Sequence, residues 1–98
     1  MPAVCRKGHA DLPHCSGMVR FGSSENVRVN GIGVSRQYDV NTPHLVPAGG
    51  LFCAIHAAPI TTGSTTVKVN SRGCGRIFDF ITGCTYVAQG SPNVFAGG

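Results

Sequence analysis

Hydrophobic and polar residues alternate over two short stretches of the chain, 27–30 and 67–70. Alternation with a period of two is typical of a strand with one buried face. The pattern predicts that the four valines in these stretches face the core, and that Arg28 and Lys68 face solvent. Asn30-Gly31 then follows the first stretch, and this pair strongly indicates a hairpin turn because both residues tolerate positive φ.

The rest of the chain contains no amphipathic helix of useful length, and its 14 glycines punctuate it with turns. We therefore expect an all-β domain of short strands and hairpins, spanning residues 1–98 as a single unit. No apolar run reaches the roughly 18 residues of a membrane span. The N-terminus lacks the apolar stretch of a secretory signal peptide, so we expect synthesis in the cytoplasm without one.

A nine-residue unit that begins with Arg and ends with a possible metal ligand occurs three times, at 6–14, 36–44 and 76–84. A Gly-Ser segment with the alternating strand precedes the second and third units, and the register from Val27 to His44 repeats from Val67 to Cys84 with an offset of 40. A third such segment, 90–97, has no Arg unit after it, and the first Arg unit has none before it. If these two halves lie side by side, the chain is a closed, pseudo-threefold body with adjacent termini.

The three units end at equivalent positions with His14, His44 and Cys84. Symmetric packing would bring these side chains together on the pseudo-threefold axis. Residues 45–62 form the one long insertion between repeats, and it supplies a candidate fourth ligand, His56, with Cys53 as its main rival. Weaker candidates are Cys15 and His9. Three His and one Cys satisfy one zinc ion in a closed, structural shell that leaves no position for catalysis, and this donor set fits zinc better than iron.

The five cysteines also favour a metal over a disulfide framework, since an odd number leaves one unpaired. We expect Cys5 and Cys74 to be small core residues. Asp follows Arg by three residues in two of the units, at Asp39 and Asp79, and His9 takes that place in the first. The arginines either form a functional ring of charge or fix turns by pairing with these carboxylates, and we favour the pairing.

The net charge of +4 is scattered and no aromatic residues are interleaved with a basic stripe, so the composition argues against nucleic-acid binding. A zinc hydrolase is a further alternative. It would need an open coordination position and a general base, and the chain has only four carboxylates.

The pattern Gly-Ser, Val-x-Val-Asn, Arg-x-x-Asp and then a ligand resembles the PAAR-repeat family over nearly the whole chain. The family's Pro-Ala-Ala-Arg is replaced here by Gly33-Val34-Ser35-Arg36, in which only the Arg is kept. The resemblance implies a small cone with one structural zinc ion near its sharp tip. Carried over by position, the zinc ligands are His14, His44, His56 and Cys84.

The same resemblance implies a structural, non-enzymatic role. One monomer would cap the blunt end of a trimeric β-helical spike, sharpen it, and help it to pierce a target membrane through transient contact. We expect a virion location, at the spike tip of a contractile phage tail baseplate. The alternative is the spike tip of a type VI secretion system, where it would be secreted and would carry or recruit effectors. No nucleic acid or small-molecule substrate is implied.

Overall fold

The computed structural model describes residues 1–13, 16–47, 53–82 and 84–98. These residues form eight short strands and no helix, and so none that is long and apolar enough to cross a membrane. The strands are β1 (Arg28–Val29), β2 (Ile32–Gly33), β3 (His44–Pro47), β4 (Cys53–His56), β5 (Lys68–Val69), β6 (Arg72–Gly73), β7 (Phe80–Ile81) and β8 (Thr85–Tyr86). They pair as four antiparallel hairpins, each strand with the next. The all-β prediction is confirmed.

The hairpins β1–β2 and β5–β6 are copies of one another. Arg28 pairs with Gly33, and Lys68 pairs with Gly73, in the same register. In the first hairpin the turn residues Asn30 and Gly31 have φ values of 54° and 79°. The second turn has the same left-handed conformation, at Asn70 (52°) and Ser71 (67°). The turn predicted from Asn-Gly therefore forms, and its copy forms without glycine.

The two ends of the chain form a third, composite hairpin. Ala3 pairs with Phe95, and the Val4 N–H donates to the Val94 carbonyl oxygen at 3.0 Å. Equivalent bonds in the other hairpins join Val34 to Val27 (3.1 Å) and Cys74 to Val67 (2.9 Å). The half-repeats at the two termini thus complete one full copy, as the sequence predicts.

A ring of three backbone hydrogen bonds closes the body at the residues that precede the arginines. Cys5 donates to Gly75 (3.0 Å), Gly75 donates to Ser35 (3.0 Å), and Ser35 donates to Cys5 (3.1 Å). A Cβ atom on Gly75 would lie 2.5 Å from the Ser35 carbonyl oxygen and 2.8 Å from Cys5 Sγ, so only glycine fits there. The molecule measures 40 × 23 × 22 Å, and its two nearly equal short axes suit a rotational pseudo-symmetry. The cone shape stays a prediction.

Among the described residues, two small clusters form the core. The first joins the three hairpins and contains Val4, Val34, Val69, Cys74 and Ala96. The second includes the ring residue Cys5 together with Ala58, Ile60, Ile81 and Val87. Cys5 and Cys74 are free and buried, which confirms that they are core residues. Burial raises the pKa of the Cys74 thiol to about 11, so this thiol stays protonated at neutral pH.

The prediction for the valines is only half correct. Val69 is buried and Val29 is partly buried, but Val27 and Val67 are 36% and 40% exposed. The reason is that the last two precede their strands and belong to turns, in which the Val27 N–H donates to Ser24 Oγ at 2.9 Å. Arg28 and Lys68 are exposed, as predicted. In the insertion, residues 53–56 form strand β4.

The arginines of the second and third units fix turns, as we expect from the pairing with Asp. Asp39 accepts from the Arg36 backbone N–H (2.8 Å), Nε (2.8 Å) and Nη2 (3.0 Å). Asp79 accepts the same three bonds from Arg76, at 2.8, 3.2 and 3.0 Å. One carboxylate therefore satisfies both the backbone and the guanidinium in each turn.

In the first turn His9 replaces the carboxylate and satisfies Arg6 incompletely. The backbone N–H of Arg6 lies 3.0 Å from His9 Nδ1, and Arg6 Nη2 lies 3.0 Å from Nε2. Both groups of Arg6 are donors, whereas a neutral imidazole has one acceptor nitrogen. Arg6 Nε is buried without a hydrogen-bond partner among the described residues.

We expect His9→Asp to stabilise the protein by about 1 kcal/mol, because it restores acceptors for all three Arg6 donors. The reciprocal change, Asp39→His, should destabilise by a similar amount. Chemical denaturation of the metal-free proteins measures both. A His9→Asp variant that is less stable than the native protein would contradict this account of the turn.

The difference in the free energy of unfolding between the native protein and His9→Asp should widen as the pH falls through about 6.5. Burial and the charge of Arg6 lower the pKa of His9 in the folded protein. The unfolded chain therefore takes up the proton first, and the native protein loses stability on acidification. The variant has no such group at position 9. Repeating the denaturation between pH 7.5 and 5.5 tests the sign.

Candidate metal centre

Three of the four predicted ligands lie together at one place in the structure. The ligand atoms of His44, His56 and Cys84 are all within 4.8 Å of one another. His44 Nε2 is 3.1 Å from Cys84 Sγ, and the two imidazole rings are 4.3 Å apart between centroids. These side chains lie close enough to hold a metal ion.

Strand pairing explains why the two histidines meet. His44 begins β3 and His56 ends β4, and the two are direct partners in the antiparallel register. Directly opposed residues in such a pair place their side chains on the same face, about 5 Å apart. Cys84 comes from a different hairpin, in the turn between β7 and β8, where its N–H donates to the Ile81 carbonyl oxygen at 2.8 Å.

The hydrogen bonding of His44 suits a metal ligand. Its Nδ1 lies 2.8 Å from the Thr42 carbonyl oxygen, which can only accept, so Nδ1 carries the proton. Nε2 is therefore left with its lone pair directed toward Cys84. A backbone carbonyl that fixes the tautomer and ring orientation is the usual support for a histidine ligand.

The Cys84 thiol is protonated in the absence of a metal. Burial raises its pKa, and a hydrogen bond from Asn41 opposes that rise. Only the thiolate binds zinc-like metals, so metal binding at this site must release the thiol proton.

The other candidate ligands have different outcomes. His14 and Cys15 lie outside the described residues, so the place of His14 in the site stays a prediction. Cys53 begins strand β4, but its side chain also lies outside the description. His9, another alternative to His56, contacts Arg6 in the first turn and therefore has a structural role there.

A set of buried polar residues beside the site was not predicted from the sequence. Asp11 and Arg20 are each 1% exposed, with Arg20 Nη1 3.6 Å from Asp11 Oδ2, and Asn41 is 0% exposed. A signal did exist in the repeat register. Asp11 and Asn41 stand where the third unit has buried Ile81, which predicts that both are buried.

A scan against models of protein families finds no match for this chain, and a search of curated proteins finds none either. The fold and the site therefore define the class of the protein from geometry. It is a small all-β domain with a His/Cys cluster that can hold a metal ion.

The purified protein should contain about one metal ion per chain, and His56→Ala should lose most of it, because His56 is one of the three clustered ligands. Plasma mass spectrometry on both proteins measures this. The matched control is His9→Asp, which removes a histidine outside the cluster and should keep the metal.

Full metal content in His56→Ala would mean that another residue is the fourth metal ligand, and Cys53 is the first candidate to test. A folded native protein without metal would refute the centre.

Proposed function

We propose that this protein is a structural tip that caps and sharpens the trimeric β-helical spike of a contractile injection machine. The observation that carries the proposal is the ring formed by Cys5, Ser35 and Gly75, which joins three near-equivalent units of one chain. A body with three near-equivalent sides can offer a matched contact to each subunit of a true trimer. This geometry supports a ratio of one chain to three spike subunits.

The three hairpins supply the surface that would meet the spike. They expose several apolar side chains: Met1, Val27, Ile32, Val67 and Phe95. Apolar contact and pairing of strand edges are the means by which such short strands would continue a β-helix. The first core cluster lies directly behind these hairpins and gives them a rigid support.

At the other end of the Arg units, the metal that we propose is zinc. Its ligands would be the clustered His44, His56 and Cys84, together with His14. Imidazole and thiolate donors suit zinc in a closed tetrahedral shell, which is structural and not catalytic. Such a shell would tie the β3–β4 and β7–β8 hairpins together, next to the small second core cluster.

The exposed charge of the protein is mainly cationic. Three of the four carboxylates, Asp11, Asp39 and Asp79, are buried in ion pairs with arginines. The exposed Arg28, Lys68 and Arg72 lie on the hairpins that would meet the spike, so transient contact of the tip with the target envelope would not depend on them. We place the tip in a phage tail baseplate, as part of the virion. The alternative is the spike tip of a type VI secretion system, where the protein would make the same contact with the spike. It would then be secreted with effectors.

The expected complex with a trimeric spike fragment from the same genome has one chain per trimer, and light scattering after size exclusion measures this ratio. Val67→Asp should abolish the complex, because it places a charge in the hairpin surface. The matched control is Leu12→Asp: Leu12 is 41% exposed, against 40% for Val67, but its N–H donates to the carbonyl oxygen of Tyr86, two residues after Cys84, at 2.9 Å. Failure of the native protein to bind, or equal binding by both variants, would count against the tip.

A further inference from the structure

The side chain of Asn41 is fully buried and makes contacts in three directions. Its Oδ1 accepts from the Ala58 backbone N–H at 2.9 Å. Its Nδ2 donates to Asp11 Oδ2 at 3.1 Å and approaches Cys84 Sγ at 3.9 Å. One primary amide thus joins three segments that are distant in sequence.

Each of these segments carries one of the proposed metal ligands. Ala58 follows His56 by two residues, and Cys84 is itself a ligand. Asp11 precedes His14 by three residues, and Asn41 precedes His44 by three. We infer that Asn41 is a positioning residue of the metal centre, which holds the four ligand segments in register before the metal arrives. This inference rests on the proposed metal centre.

The amide group is suited to this task because it offers an acceptor oxygen and two N–H donors from one small side chain. The backbone N–H of Ala58 needs an acceptor, and the Asp11 carboxylate needs donors. An aliphatic residue at position 41 would leave both groups buried without these partners, which is costly.

The partners of Asn41 are themselves fixed. Asp11 lies beside Arg20, and the Nη2 of Arg20 donates to the Asp39 carbonyl oxygen at 3.1 Å. Asp39 is held by Arg36 through the second turn. Asn41 is therefore anchored to the repeat framework on one side and to the ligands on the other.

The contact with Cys84 gives Asn41 a direct effect on the metal. An N–H directed at a metal-bound sulfur stabilises the thiolate, and supporting hydrogen bonds of this kind change metal affinity by roughly 10- to 100-fold. The carboxylate of Asn41→Asp has the same shape but carries no donor. It would also place a negative charge beside both Asp11 and the thiolate.

We therefore expect Asn41→Asp to bind zinc about 10- to 100-fold more weakly, as measured by competition with a chromophoric chelator. In the cobalt-loaded protein, the thiolate-to-cobalt charge-transfer band should shift, because the N–H directed at Cys84 Sγ is lost. The control is Ser35→Ala. Ser35 is equally buried, and its Oγ donates to the Gly22 carbonyl oxygen at 3.0 Å. Loss of this hydrogen bond should lower stability but leave the zinc affinity and the cobalt spectrum unchanged.

Native zinc affinity and an unchanged cobalt spectrum in Asn41→Asp would overturn the role of Asn41 and leave the metal centre standing. If native protein binds no metal, the centre and this role fail together. Should the variant not fold, hydrogen exchange on the metal-free native protein decides. A protected Ala58 amide supports a site held in register without metal, and free exchange of that amide overturns it.

Discussion

Closure around one axis is the constraint on which the rest of this molecule depends. Each hairpin has two short strands, too few to be stable alone in water. In the ring, the buried backbone N–H groups of Cys5, Ser35 and Gly75 each donate to a carbonyl oxygen in the neighbouring unit. The hairpins, the first core cluster and the direction of the three Arg units all follow from it. Because the ends of the chain complete the third unit, closure also joins the termini.

Departures from the threefold pattern show where symmetry is given up. At the second position after each Arg the backbone keeps the pattern, with φ values of 89° at Gly8, 75° at Tyr38 and 71° at Phe78, but only the first unit has glycine there. Such a conformation costs about 1–3 kcal/mol in a residue with a bulky side chain. Both rings are more than 60% exposed, so burial within the chain does not offset this strain. Two further positions that differ from the third unit, Asp11 and Asn41, are polar and lie beside the site.

The repeat register made most of the fold predictable, because an offset of 40 residues preserves strand, turn and ligand positions together. It predicted the joined termini, the Asn30-Gly31 turn and the grouping of His44 with Cys84. It did not predict the pairing of β3 with β4, since the insertion has no copy elsewhere in the chain. The exposure of Val27 and Val67 was missed for another reason, because alternation marks a strand but not the residue at which it begins.

The polar residues next to the metal centre are best explained by the site and not by stability. At the position of Asp11 and Asn41 the third unit has Ile81, which is 1% exposed, so an apolar side chain fits the same layer. The Asp11–Arg20 pair is 3.6 Å apart, and a buried pair of such geometry is often no more stable than apolar residues of similar volume. These polar residues instead provide directional hydrogen bonds. Hydrogen bonds fix where each ligand segment lies, whereas aliphatic contacts in so small a core would leave the four segments free to shift relative to one another.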